Sequence, residues 1–227
     1  MSIRLVFIIF LIVAFAAGTG FVSYSQSSGI TLKQAYETGN VVITQNTSAG
    51  TVPHQVNLVN SGNDPVKVKV GDILVANSSQ DLVVAENRTV EKNSTVLVMA
   101  YCIEPSERAV SGTKFTVGNP APDAVKEIIY GSNPKDIANA TGAQVQIWIL
   151  ASGNNLNIYS GEPVAMVENQ NLTYTQLRQM VADGQKIIST RYNVGVEEIK
   201  NLNLNETSNS SGVINGFLSW LKTTTGI

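Results

Sequence analysis

Gln55-Val-Asn-Leu-Val-Asn-Ser-Gly-Asn-Asp-Pro-Val-Lys-Val-Lys-Val70 contains two alternating runs joined by a cluster of turn formers. Val56 and Leu58 alternate with Gln55 and Asn57, and Val66, Val68 and Val70 alternate with Lys67 and Lys69. A period of two puts apolar side chains on one face of an extended chain and polar ones on the other. Ser61 to Pro65 supplies the turn residues that separate two such strands.

The same reading extends outward to Val41–Gln45, Ile73–Asn77, Leu82–Glu86, Thr95–Ile103 and Lys114–Val117. Gly71-Asp72, Asn77-Ser-Ser79, Glu91-Lys-Asn-Ser94 and Ser111-Gly112 punctuate these runs. Seven short Val-rich strands at this spacing predict an antiparallel β-sandwich over residues 30–120. Ile30 to Glu37 reads as a short helix at its start.

After Pro120-Ala-Pro122 the period lengthens. Ala124, Val125, Ile128 and Ile129 fall on one helical stripe, stopped by Gly131. Further helices are expected from near Asp136 to Ala151, from Tyr174 to about Tyr192 with Thr173 as N-cap, and over Val196–Leu202. Strands first and helices second make an α+β protein, with residues 121–203 as a helical region packed on the sandwich.

Beyond these lie an N-terminal leader (1–22), a polar linker (23–29), an Asn/Ser-rich linker (204–212) and a C-terminal amphipathic helix (213–227). The leader has Arg4, then uninterrupted apolar sequence from Leu5 to Ala17, then small residues. That pattern predicts a signal peptide, or a membrane anchor if uncleaved.

Asparagine acceptor triplets with no intervening proline occur at Asn46, Asn77, Asn87, Asn93, Asn139, Asn171, Asn205 and Asn209. Each pairs an amide with a hydroxyl two residues on, as sugar transfer requires. Behind an export segment, eight such triplets predict an N-glycosylated, extracellular or cell-surface protein.

Composition narrows the function classes. An apolar fraction of 43% supports a buried core, and net charge −2 without basic runs speaks against nucleic acid as a partner. One cysteine and one histidine leave no internal disulfide and no four-ligand zinc site. His54, after Pro53 in a Gly/Ser/Thr-rich stretch, reads as an exposed loop residue. No catalytic residue, metal ligand or cofactor is expected. The expected role is non-enzymatic, in the envelope, adhesion or protein interaction, with other envelope proteins or surface glycans as partners.

Two motifs offer alternatives. Ala100-Tyr101-Cys102 ends the strongest strand, and Ala143-Gln144-Val-Gln146-Ile-Trp148 lies on an expected helix. This pair resembles the thioester domains of bacterial surface adhesins. The resemblance implies a covalent adhesin in which Cys102 condenses with Gln144 or Gln146. Position 143 carries alanine where that family has threonine, and position 146 glutamine where it has alanine. Thr190 to Asn203 resembles the second half of a lysin motif, which implies a cell-wall glycan-binding module.

Overall fold

The structure is a computed structural model that describes residues 29–196. The leader, the first linker up to Ser28, most of the Val196–Leu202 segment, the Asn/Ser-rich linker, the C-terminal helix, Asn205 and Asn209 lie outside the described residues.

Among the described residues, nine strands form two sheets. β1 (Ile30–Thr31), β4 (Val66–Val68) and β7 (Arg88–Val90) make a three-stranded sheet in the order β1-β4-β7. In it β1 runs parallel to β4, and β4 pairs antiparallel with β7 through Val66↔Val90. The larger sheet contains β2 (Val41–Gln45), β3 (His54–Asn60), β5 (Ile73–Ala76), β6 (Leu82–Val84), β8 (Ser94–Cys102) and β9 (Phe115–Val117). Its order is β2-β3-β8-β6-β5-β9, antiparallel throughout.

The two outer strands of that sheet meet. Thr44 on β2 bridges Lys114, just before β9. Gln45 N donates to Thr113 O at 2.8 Å, and Gly112 N donates to Gln45 O at 2.9 Å. These bonds bend the sheet towards a closed barrel and protect edge groups that an open sandwich would leave unpaired. The α+β order and the antiparallel pairing are as the alternation predicts. The sandwich expectation changes: in place of two facing sheets there is a nearly closed six-stranded barrel with a small mixed sheet beside it.

Barrel positions follow the period of two. Val41, Ile43 and Gln45 on β2 are buried, as are His54, Val56, Leu58 and Asn60 on β3. Leu82, Val83 and Val84 are buried on both faces of β6, so this strand has no polar alternation to read.

Among the described residues, five α-helices accompany the sheets. α1 (Leu32–Glu37) starts at Thr31, whose side chain and that of Gln34 form a reciprocal capping box. α2 (Asp123–Tyr130) buries Ala124, Val125, Ile128 and Ile129. α3 (Ile137–Ser152) begins at Asp136, whose carboxylate accepts from Asn139 N at 2.9 Å. Val145, Ile147, Trp148, Ile149 and Leu150 are all buried along α3, so it is enclosed nearly all round, with β8, α2 and α5 among its neighbours. After a 3-10 turn (Gly153–Asn155) comes α4 (Gly161–Gln170), and α5 (Tyr174–Tyr192) is capped by Thr173 and Gln176.

Candidate functional site

Polar side chains collect in two places, one sealed and one open. The sealed cluster surrounds His54. On β3 the positions alternating with Gln55 and Asn57 face inward, so the first of them, His54, is carried into the core at 0% exposure. The loop expectation for this residue is therefore corrected. The strand begins one residue earlier than its apolar pattern, and the imidazole occupies the next inward position.

Glu162, in the first turn of α4, meets it there with its carboxylate also at 0% exposure. His54 Nε2 lies 3.1 Å from Glu162 Oε1. Gly50 N donates to the same oxygen at 2.6 Å, and Ala109 N donates to Oε2 at 3.1 Å. The carboxylate accepts from both main-chain N–H groups, and in the tautomer with its proton on Nε2 the imidazole donates to Oε1 as well. Nδ1 is then free to accept from the Thr47 hydroxyl at 3.2 Å. The Gln80 amide nitrogen lies 2.8 Å from the same His54 Nε2, and Gln80 Oε1 is buried without a hydrogen-bond partner.

Backbone geometry makes room for this contact. Gly50 has φ +81°, and a Cβ there would meet Ala165 O at 2.2 Å. Gly161 has φ +60°, and a Cβ there would meet Pro105 O at 2.1 Å. Both sites require glycine for the conformation and for the close approach of α4 to the loops. Glu162 thereby fastens α4 to two separate connections of the barrel.

Cys102 lies in the same interior, at the end of β8 and opposite Leu82. Burial pushes its thiol well above the ordinary range, and the Glu162 carboxylate adds to the effect. Gln144 does reach this residue, but by its main chain. Oε1 accepts from Cys102 N at 2.9 Å, and Nε2 donates to Cys102 O at 2.7 Å. The thiol itself donates to Glu104 O at 3.3 Å. Gln146, two positions along α3, donates to Gly142 O at 3.3 Å. The structure thus brings Cys102 and Gln144 together as a strand-to-helix clasp and leaves Gln146 apart.

The open feature is a groove of about 560 Å³ between β4, β7 and α2. Lys67, Lys69, Arg88 and Lys126 line it, together with Asn87 and Tyr130. Sequence reasoning missed it, because its cations come from three segments and form no run. Among the described residues, no group of three or more His, Cys, Asp or Glu is arranged to hold a metal ion. Nor is any described helix long and apolar enough to cross a membrane.

The six described acceptor asparagines (Asn46, Asn77, Asn87, Asn93, Asn139 and Asn171) are all exposed. They divide by their hydroxyl partners. Ser48, Thr89, Thr95 and Thr173 are exposed with their asparagines. Ser79 is buried and bonded to Arg108 O, and Thr141 is buried and bonded to Ile137 O within α3. Four triplets are therefore open at both ends and two are closed at the hydroxyl.

A family model described as the ARG and Rhodanese-Phosphatase-superfamily-associated Protein domain, ARPP-1, matches residues 9–154. That stretch runs through the barrel, α2 and α3, and stops before α4 and Glu162. No curated protein and no solved structure matches the chain. The match overturns the resemblances to thioester adhesins and to the lysin motif: the segment holding Cys102, Gln144 and Gln146 is accounted for by a different family, and the Cys102–Gln144 contact is a backbone clasp. With well over half of its length matched, the chain belongs to the ARPP-1 domain family.

Proposed function

We propose that this protein acts as a non-enzymatic, N-glycosylated module of the cell surface, where it contacts envelope proteins or surface glycans. One observation carries the reading. Four acceptor triplets, at Asn46, Asn87, Asn93 and Asn171, expose both the amide and the hydroxyl partner. Sugars on them would project from loops, strand ends and a helix terminus without entering the core.

The sealed cluster is consistent with a binding role. His54, Glu162, Cys102 and Gln144, all at 0% exposure, make their hydrogen bonds to one another, to main chain, or to the neighbouring side chains of Gln45, Thr47 and Gln80. They bind the fold together and present no nucleophile to solvent. The barrel and its helical cover would then serve as a rigid carrier for a working surface on the outside.

Protease treatment of intact cells tests this reading. Loss of the full-length protein from untreated-to-treated samples, while a cytosolic marker survives, is the expected result. Survival of the protein alongside that marker would contradict it.

A further inference from the structure

Four of the twelve lysines and arginines among the described residues line the one groove described above, in a chain whose net charge is −2. Lys67 extends from β4, Lys69 from the residue just after it, Arg88 from β7 and Lys126 from α2. Two of the long stems are supported from beneath. A Cβ on Gly29 would lie 3.2 Å from Lys67 Cγ and Cε, and one on Gly71 would lie 2.9 Å from Lys126 Cγ and Cε. Each lysine is laid across a glycine, which limits where its ammonium can go.

Acidic neighbours offset only part of this charge. Arg88 Nε bonds Glu86 at 3.0 Å and Lys126 Nζ bonds Asp123 at 3.2 Å. Asp72 accepts from Lys69 N at 2.8 Å; burial raises its pKa, against the lowering pull of that bond and of the Lys69 and Lys126 charges. Lys67 and Lys69 have no carboxylate within 4 Å of their ammonium groups among the described residues. Arg88 meets Glu86 through Nε, and its guanidinium carries further N–H donors on the outer nitrogens.

An anion would suit those donors, and two other features define its scaffold. Tyr130 stands at the groove 66% exposed, and an aromatic face is an apolar platform for a ring with axial C–H bonds. Asn87 brings an amide to the same groove, its Oδ1 accepting from Val70 N at 2.9 Å. The volume of about 560 Å³ falls within the range of small-ligand pockets.

We infer that the groove between β4, β7 and α2 binds an acidic saccharide. Its carboxylate or sulfate would meet Lys67, Lys69 and Arg88, and a sugar ring would lie on Tyr130. The inference rests on the surface-module reading, since it names which surface glycans this module would take.

Calorimetric titration of unglycosylated full-length protein with trigalacturonate tests it, with neutral maltotriose as the comparison. Saturable binding is expected for trigalacturonate and none for maltotriose. Lys67→Gln combined with Lys69→Gln, and separately Tyr130→Ala, should each weaken binding by about tenfold or more. Lys69 and Tyr130 are exposed and Lys67 is half-buried, where glutamine keeps part of its stem, so melting temperatures should stay close to that of the parent protein. Absence of trigalacturonate binding, or binding indifferent to the paired lysine change, would overturn the inference. So would equal binding of inorganic polyphosphate that Tyr130→Ala leaves unchanged, which marks a plain anion site. The titration does not depend on export: binding in a protein that proves to be cytosolic would spare the groove and remove the surface reading, and the converse holds.

Discussion

At His54, one imidazole joins three parts of the chain that are far apart in sequence. Its Nε2 faces Glu162, while Thr47 and Gln45 approach Nδ1 at 3.2 and 3.3 Å. Removing one partner of such a buried pair costs more than the pair itself contributes, because the survivor is left buried without its hydrogen bonds. Glu162→Ala strands the N–H groups of Gly50 and Ala109 as well as His54. It should destabilise the protein by about 3–5 kcal/mol in urea unfolding, since each buried donor left without an acceptor costs roughly 1–3 kcal/mol. Glu162→Gln keeps one acceptor oxygen and should lose less, and equal losses would show that the hydrogen bonds do not matter. Cys102 gives a second prediction at this scale. Buried and with its thiol shifted upward, it should resist a disulfide reagent in the native protein and react fully once urea unfolds the chain. Rapid native reaction would mean that the interior opens.

Among the elements, legibility in the sequence followed the source of each signal. The strand Val41–Gln45 and the helices Asp123–Tyr130 and Tyr174–Tyr192 match their expected bounds, because alternation, an apolar stripe and the Thr173 cap are local. β7 escaped notice, since Arg88 and Thr89 are exposed and only Val90 is buried. That left the stretch reading as a span between strands. α4 escaped as well: Glu162 and Pro163 are buried in its first turn, which breaks the apolar stripe a surface helix would show. The Thr44–Lys114 bridge joins residues seventy positions apart, and no local pattern announces it. Glu162 lies still further from His54, so that contact was not legible, whereas Cys102 and Gln144 stood out together and do meet, through the Cys102 main chain. The groove was invisible for the same reason, being assembled from β4, β7 and α2.

One inter-element tie can be followed by pH. Tyr192 at the end of α5 donates its hydroxyl towards Ala124 O at 3.2 Å and Glu127 Oε2 at 3.0 Å on α2. Burial first, then the bond to Glu127 and its charge, push this phenol up to about 12. The folded state therefore holds the proton after the unfolded chain, near its ordinary value of 10.0, has released it. Stability from this tie is complete below that lower value and is lost as pH rises through about 12. Ultraviolet titration should find one tyrosine that ionises last, absent in Tyr192→Phe. A Tyr192→Phe protein with an unchanged titration curve would break the assignment.

Over the molecule as a whole, the near-closed barrel, the small mixed sheet and the helical cover keep the reactive groups inside and the acceptor asparagines outside. This separation is what makes a carrier for surface recognition physically reasonable, since sugars and partners can be accommodated without disturbing the core. Glycopeptide mass spectrometry of the protein purified from its native cells is the most direct test. Sugar should be found on Asn46, Asn87, Asn93 or Asn171, with Asn77 and Asn139 less occupied because Ser79 and Thr141 are buried. Unmodified asparagine at all six positions would contradict the account.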